Sequence, residues 1–416
     1  MKKLIYTTAL LFFSSMYVLA QKTTAHDTAH TKTDTTQAAT DATQPETDIN
    51  HKIFSAITGN TKFVLSGSAF VDFSVNQKNA AKSNFSSTGF SPIFLWKLSD
   101  KLFFESQVEL AIKNGETGID LEYAKLSYII NQYIAIGAGR MLTPFSAYVE
   151  RLEPAFIEKF PNPPLLLHHE DGTHAIGPNG AEMGVDVRGG FQVGNSKMNY
   201  AVNISNGPKL NNGSEDPKMG GTLEYENFYD NNSNKEFGGR IGFLPFSNSS
   251  LEIGISGNTG KTGDATDSLY NNIKAKAFAL DLSYVNAIKP LKSMINIKGQ
   301  YNNVTVDKAN YKDPMDSTGM TTYSFTNKSH VYYLQVSLRP ALLEKGFLKN
   351  VELLVRYNSL STPKEAAWGG GTTIRTDIGL CYWLSWRSGL RLAYETQKTP
   401  DGQRDNQFLI RFATGF

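Results

Sequence analysis

The residues best equipped for chemistry lie in one short stretch, "HHEDGTH", which holds His168, His169, Glu170, Asp171 and His174. Neutral imidazoles and carboxylates are ligands for zinc or nickel. A zinc site, however, needs its ligands held at fixed tetrahedral angles. Adjacent histidines on a loop lack that geometry, and no second cluster completes a set. Polar loop residues are the plainer reading, and no metal is assigned. His26 and His30 read the same way, as solvated histidines in a Thr-rich segment. Hydrolysis would need a nucleophile beside a positioned base. The chain has 7 histidines, and none is identified on a lumen-facing strand position beside a serine. It is read as a non-enzyme with no cofactor.

Fixed charges are the other chemical resource. Arg140, Glu150, Arg151, Glu153, Glu158 and Lys159 cluster in or beside "SAYVERLEPAFIEKF". Glu105, Glu109, Asp120, Glu122, Glu182 and Asp186 recur earlier or just after, with Lys113 and Arg188 among them. Arg356, Arg375, Arg387, Arg391, Glu395 and Arg411 occupy the last part of the chain. Charges of this kind set ion preference when they line a narrow, water-filled passage. Whether they do depends on the elements that carry them.

Those elements begin after a leader. Lys2 and Lys3, an apolar core and Val18-Leu19-Ala20 make residues 1–20 a secretory signal peptide. Residues 21–51 are rich in Thr, Ala, Asp and Gln, too poor in apolar groups to offset the entropy of ordering, and read as a disordered tether. Residues 52–416 remain. A formal net charge of +2 gives no pull toward nucleic acid. A single cysteine, Cys381, excludes an intrachain disulfide framework. Past the leader no apolar run approaches the ~18 residues of a membrane helix. An exported chain with 12% aromatic residues and 35 glycines can instead enter a membrane as a closed β-barrel.

Periodicity agrees. In "KLFFESQVELAIK", Leu102, Phe104, Val108, Leu110 and Ile112 alternate with Glu105, Gln107, Glu109 and Lys113. "MGVDVRGGFQV", "KMNYAVNISN", "NVELLVRYN", "SGLRLAYETQ" and "NQFLIRFATGF" repeat the pattern. Short connectors ("SDK", "NQ", "GNSK", "PFSNSS", "SWRS") alternate with long polar ones ("QKNAAKSNFSS", "NTGKTGDATDSLYNN", "STPKEAAWGGGT"). "AIKPLKS" and "PALLEKGFLKN" are longer turns, the second suited to a short helix. Tight turns at one end and long loops at the other predict an all-β transmembrane antiparallel barrel of about sixteen strands, an even number with both termini in the periplasm. Outer-membrane lipid and lipopolysaccharide are its expected surroundings. The chain stops on Phe416 after an alternating strand, which resembles the signal that such barrels present to the barrel assembly machinery.

One connector stands out. From Arg140 to Glu182 alternation gives way to Pro144, Pro154, Pro161, Pro163 and Pro164, residues that cannot extend a barrel wall. It is the third outer loop. "SAYVERLEPAFIEKF" is predicted to form a short amphipathic helix with its charged set toward water. A barrel of this size leaves an aqueous lumen, so the loop either folds inward as a constriction or caps the mouth as a lid; the inward fold better serves its apolar residues. Gly139-Arg140-Met141-Leu142-Thr143-Pro144-Phe145, then Glu150-Arg151, Pro154 and "FPNPPLLL", resemble the corresponding segment of the phosphate-selective porin O and P family. The resemblance covers the barrel, though its distinctive residues are confined to this stretch. It implies a passive diffusion channel, often a homotrimer, without fixing phosphate as the solute.

The expected constriction therefore carries Arg140, Glu150, Arg151, Glu153 and Lys159. The expected pore wall carries Arg356, Arg391 and Arg411 at similar height, facing Glu105 and Glu109. That basic stripe predicts a mild anion preference, with arginines that merely solvate the lumen or pair with loop carboxylates as the plainer alternative. A structural or adhesive barrel is the competing function, because long Asn/Ser/Gly loops also suit surface contact.

Overall fold

The structure, a computed structural model, describes residues 62–76, 82–113, 115–167, 176–225, 228–316 and 320–416. The leader, the tether with His26 and His30, and the His168–His174 cluster lie outside the described residues.

The alternating segments form β1 (Phe63–Asn76), β2 (Lys82–Lys97), β3 (Leu102–Lys113), β4 (Glu116–Ile129), β5 (Ala135–Leu142), β6 (Ala181–Val193) and β7 (Ser196–Ser205). Two short strands follow, β8 (Lys209–Leu210) and β9 (Leu223–Glu224). The rest are β10 (Glu236–Leu244), β11 (Leu251–Lys261), β12 (Lys274–Ile288), β13 (Ser293–Lys312), β14 (Thr322–Arg339), β15 (Val351–Ser361), β16 (Thr372–Trp383), β17 (Ser388–Lys398) and β18 (Arg404–Gly415). All but β8 and β9 pair with their sequence neighbours, and β1 closes onto β18, giving a sixteen-stranded antiparallel barrel. Ser68 lies opposite Gly415 and Asn76 opposite Gln407 at the seam. The β8–β9 hairpin is a separate small sheet within the long loop between β7 and β10.

The barrel is polar inside and apolar outside. Phe237, Ile241, Phe243, Ile253 and Ile255 are exposed on the exterior, while Glu236, Arg240, Glu252 and Ser256 in the opposite phase are buried. Such an exterior is stable only against lipid. Phe63, Trp96, Tyr128, Tyr133, Phe246 and Phe347 sit exposed near the short-turn ends, where aromatic rings favour the membrane interface.

The connector pattern holds with three departures, the first being the outer link from β17 to β18, which spans only residues 399–403. Short links follow β2, β4, β6, β10 and β16, and "AIKPLKS" and "PALLEKGFLKN" carry single 3₁₀ turns at Lys289–Leu291 and Phe347–Asn350. On the other side, however, Lys113 pairs directly with Glu116, so the second outer link is tight. "QKNAAKSNFSS" is shorter as a loop than expected, because β2 already begins at Lys82.

Candidate functional site

The third outer loop enters the lumen. After Leu142, Pro144 ends the ladder, and Ser146 adopts φ 85°, a left-handed conformation that a serine holds only under constraint. The constraint is visible: the Ser146 N–H donates to Ser256 Oγ on β11 at 3.2 Å. One helical turn follows at Tyr148–Leu152. The short amphipathic helix expected over "SAYVERLEPAFIEKF" is cut to this turn because Pro154 has no N–H to continue it.

The loop then descends one wall and climbs another. Both β11 and β15 run outward from the turn end of the barrel. Ser146 meets Ser256, and Arg151 makes a bidentate pair with Glu252 at 2.7 and 2.9 Å, so the first limb goes down β11. At the bottom, Ala155 O accepts from Arg391 at 2.5 Å, and Phe156 lies beneath the Arg387 guanidinium. The second limb rises along β15. Lys159 binds Glu352 and Ser337, Asn162 accepts from Arg356, and the Leu165 N–H reaches Asn358 at 3.2 Å. Ile176 O finally accepts from Asn302 on β13 at 2.8 Å.

Apolar packing explains the path between the limbs. Phe145, Tyr148, Val149, Leu165, Leu166 and Ile176 join one buried cluster with Ala275, Ala277 and Ala279 of β12, Val304 and Val306 of β13, and Val331 and Tyr333 of β14. The alanine row leaves the volume into which the loop's larger side chains fit. Each such side chain contributes about 1.5–3 kcal/mol when fully buried. Deeper, Phe160 packs on Leu354, Cys381 and Ala393.

The prolines account for the arginines. Pro161, Pro163 and Pro164 have no N–H, and their segment forms no ladder, so its buried carbonyls need donors from elsewhere. Arg356 Nη2 donates to Asn162 O at 2.8 Å, and Arg375 donates to Pro163 O. Asp377 sits between the two guanidinium groups, 2.8 Å from Arg356 Nε and 3.6 Å from Arg375 Nε, and Glu158 and Glu395, 3.7 Å from Arg356 and 3.6 Å from Arg375, complete the charge balance. Asn162 Nδ2 in turn donates to Asp377 at 3.0 Å and to Glu395. Within the loop, the Tyr148 hydroxyl donates to Glu158 at 2.9 Å, and burial holds that phenol well above its ordinary range, so it stays a donor.

The expected site residues are thus distributed unequally. Arg140 belongs to β5, shares a row with outward-facing Met183, donates to Glu122 O at 3.0 Å and stacks on Phe228, so it is not on the constriction. Glu150 accepts from Arg188 at 3.2 Å. Arg151 and Lys159 grip the wall rather than meeting water, and so does Glu158, 3.7 Å from Arg356; Glu153 is exposed. Arg356 and Arg391 face the lumen but have 0% exposure, because the loop covers them. Arg411 keeps partial exposure and forms a bidentate pair with Asp72 at 2.6 Å. Arg391 lies directly opposite Arg411, whereas Arg356 aligns with Asp377 and Glu395, a different row. Glu105 lies across from Lys125, which binds Asp186 at 2.7 Å, and Glu109 lies 3.8 Å from Lys113; both glutamates are half-buried on the lumen face.

Sequence reasoning did not single out Asn162, Glu252, Asn358 or Asp377, which hold the loop in place. One signal was available: in "KAKAFALDL" the lumen phase is Ala-Ala-Ala rather than polar, a sign that something apolar covers it. Among the described residues, no group of three His, Cys, Asp or Glu side chains is placed to hold a metal.

No protein-family model and no curated protein sequence matches the chain. Solved structures do. The chain is similar to an anion-selective porin from Comamonas acidovorans, with 12% identity, 85% of this chain and 99% of that one covered, and a TM-score of 0.53. It is similar to OmpF of Salmonella typhi in complex with daunomycin, at 12% identity, coverage of 85% and 97%, and a TM-score of 0.53. The outer-membrane channel DcaP of Acinetobacter baumannii gives 11% identity, coverage of 85% and 97%, and a TM-score of 0.51. The fold is that of an outer-membrane porin barrel.

Proposed function

We propose that the protein is a passive diffusion channel for small hydrophilic solutes and ions, without enzymatic activity, narrowed by its third outer loop. One observation carries this reading. The polar contacts of the loop's described residues go to β6, β11 and β13–β17, while Asp72, Glu105, Gln107, Glu109, Gln407 and Arg411 on β1, β3 and β18 keep partial exposure. A loop packed against one side of a sixteen-stranded lumen leaves a water-filled passage along the other. Planar-bilayer recording of the purified mature chain tests it. Discrete conductance steps are expected; a folded, heat-modifiable barrel that gives none would favour the structural or adhesive reading instead.

The likeness to the phosphate-selective porin O and P family, confined to the loop segment, supports the constriction and supplies no phosphate site. The anion preference expected from Arg356, Arg391 and Arg411 loses its carriers, since two are covered and the third is paired. We assign ion preference instead to the partly exposed wall, where Asp72, Glu105 and Glu109 outnumber Arg411 and favour cations weakly. A homotrimer would cover the apolar groove of about 460 Å³ between β1, β2 and β3, lined by Val71, Phe90, Leu110, Ile112 and Phe412. Crosslinking in native membranes tests that assembly. Phe416, the proposed assembly signal, ends with its carbonyl bonded by Gly67, Ser66 and Arg387 and its ring stacked on Phe90 at 5.5 Å.

A further inference from the structure

A second polar cluster lies where the lumen loop leaves and rejoins the wall. Glu182 of β6 and Glu236 of β10 are both buried facing the lumen, 2% and 3% exposed. They flank β7. Glu236 sits directly opposite Ser205, and the Asn206 N–H to Met183 O bond continues the ladder so that Gly207 comes alongside Glu182. A Cβ on Gly207 would meet Glu236 Oε2 at 3.1 Å, so the Glu236 carboxylate leans across the gap that glycine leaves, toward Glu182. The two carboxylates lie within electrostatic reach of each other.

Neither has a counter-charge. Among the described residues no Lys or Arg forms an ion pair with Glu182 or Glu236; the adjacent Lys235 is engaged by Asp230 and by Asn206. Among the described residues, the groups that hydrogen-bond them are neutral: Ser205 Oγ to Glu182, with the Thr143 side chain beside it, and Asn258 Nδ2 to Glu236. Two buried carboxylates this close cannot both stay charged unless something positive joins them.

The surroundings point to what that is. Glu182 Oε1, the Asn258 carbonyl oxygen and both polar atoms of Asn203 are buried with no hydrogen-bond partner. Asn203 is 1% exposed and faces Gly238, above which the Asn258 amide is folded, since a Cβ there would meet Asn258 Nδ2 at 2.5 Å. Thr143 faces Glu182 from the loop's first residue, and its N–H donates to Gly180 O at 3.2 Å, near the loop's last. Carboxylate, amide and hydroxyl oxygens converging from several strands are the ligand set of a hard cation; calcium takes about 6–8 such oxygens and tolerates irregular geometry, whereas magnesium demands an octahedron and keeps its waters.

We propose that Glu182 and Glu236, with Ser205, Asn203 and Asn258, bind a calcium-type divalent cation that pins both roots of the lumen loop to the barrel wall. The site does not depend on whether the barrel conducts. The mature chain, refolded into detergent free of lipopolysaccharide, is titrated calorimetrically with Ca²⁺ and with Mg²⁺ at neutral pH, and its heat-modifiability midpoint is recorded with and without chelator. A single saturable Ca²⁺ site is expected, tighter than for Mg²⁺, weakened at least tenfold in Glu182→Gln and Glu236→Gln and unchanged in Glu215→Gln on the outer loop. Chelator should lower the wild-type midpoint and leave that of Glu236→Gln unmoved. Asn258→Ala, which keeps both carboxylates, should also weaken binding and serves if the glutamine variants fold poorly. Absence of saturable binding, or binding equal in all variants, overturns the proposal. So does a midpoint indifferent to Ca²⁺ that falls as pH is raised, which would mean that a shared proton does the cation's work.

Discussion

The lumen has two unlike sides. Along β11–β17 the inward side chains are buried, and Arg356, Arg375 and Arg391 have 0% exposure beneath the third loop. Along β18, β1 and β3 the same alternation leaves Arg411, Asp72 and Glu109 partly exposed. The residue types barely differ: arginines and carboxylates occur on both. What differs is whether a loop lies on top. An arginine under the loop is a strut whose partners are backbone carbonyls and a buried carboxylate, and one beside the passage is a screened ion pair.

The largest effect should come from removing the cover. Replacing 154–166 with a short Gly/Ser link takes away Phe156, Phe160, Asn162 and Leu165, the residues that fill the covered side. Single-channel conductance should rise several-fold with heat-modifiability preserved. Unchanged conductance would mean that the loop does not narrow the conducting path, and the two sides would cease to differ functionally. The native Cys381 gives a second reading of the same change, because it is buried against Phe160. It should resist maleimide in the folded wild type and react when the loop segment is replaced, and in Phe160→Ala to a lesser degree. Equal reactivity in all three would show that the loop does not seat on β16.

Next in size is the contrast between two arginines. Arg356→Ala strips a partner from buried Asp377 and from the Asn162 carbonyl, and removing one member of a buried pair costs about 3–5 kcal/mol. Arg411→Ala breaks a bidentate pair whose side chains keep 15% and 13% exposure, so that water can reach the carboxylate left behind and the loss should be smaller. Midpoints of thermal or urea unfolding should fall clearly in the first and slightly in the second. Similar losses in both would erase the distinction between strut and screened pair.

These contrasts show where sequence reading reached and where it stopped. Alternation of the kind in "KLFFESQVELAIK" specifies which residues face inward, because a strand's period is 2 whatever surrounds it. The barrel, its strand number and the inward phase of Arg356, Arg391 and Arg411 were legible for that reason. Sequence alternation fades at Arg140, which assigns it to the constriction loop, whereas β5 continues through it to Leu142 and pairs it with Ala124 and Met183. The pairing of Arg356 with Asn162 joins positions far apart in sequence, through a segment with no periodicity at all. Its logic lies in proline's missing N–H, which names a need for donors without naming which donors meet it. Coverage, the property that separates the two sides, is a tertiary fact.

The smallest expected effect is on ion preference. Glu105 and Glu109 are half-buried on the β3 lumen face, and their nearest basic neighbours, Lys125 and Lys113, are respectively committed to Asp186 and 3.8 Å away. Their field should therefore reach ions in the passage. Charges ~4 Å apart in water interact by only about 1 kcal/mol, and walls that exclude solvent raise this. Screening shortens the reach to about 10 Å at 0.1 M salt and about 3 Å at 1 M. Reversal potentials across a salt gradient should show a weak cation preference at low ionic strength that fades at high salt. Glu105→Gln with Glu109→Gln should abolish it, since Asp72 is already offset by Arg411. Arg391→Gln should leave it unmoved, because a guanidinium sealed under the loop contributes little to the potential in the passage. If Arg391→Gln shifts the reversal potential as much as the glutamate pair does, ions pass along the covered side, and the passage assigned to β18, β1 and β3 is in the wrong place.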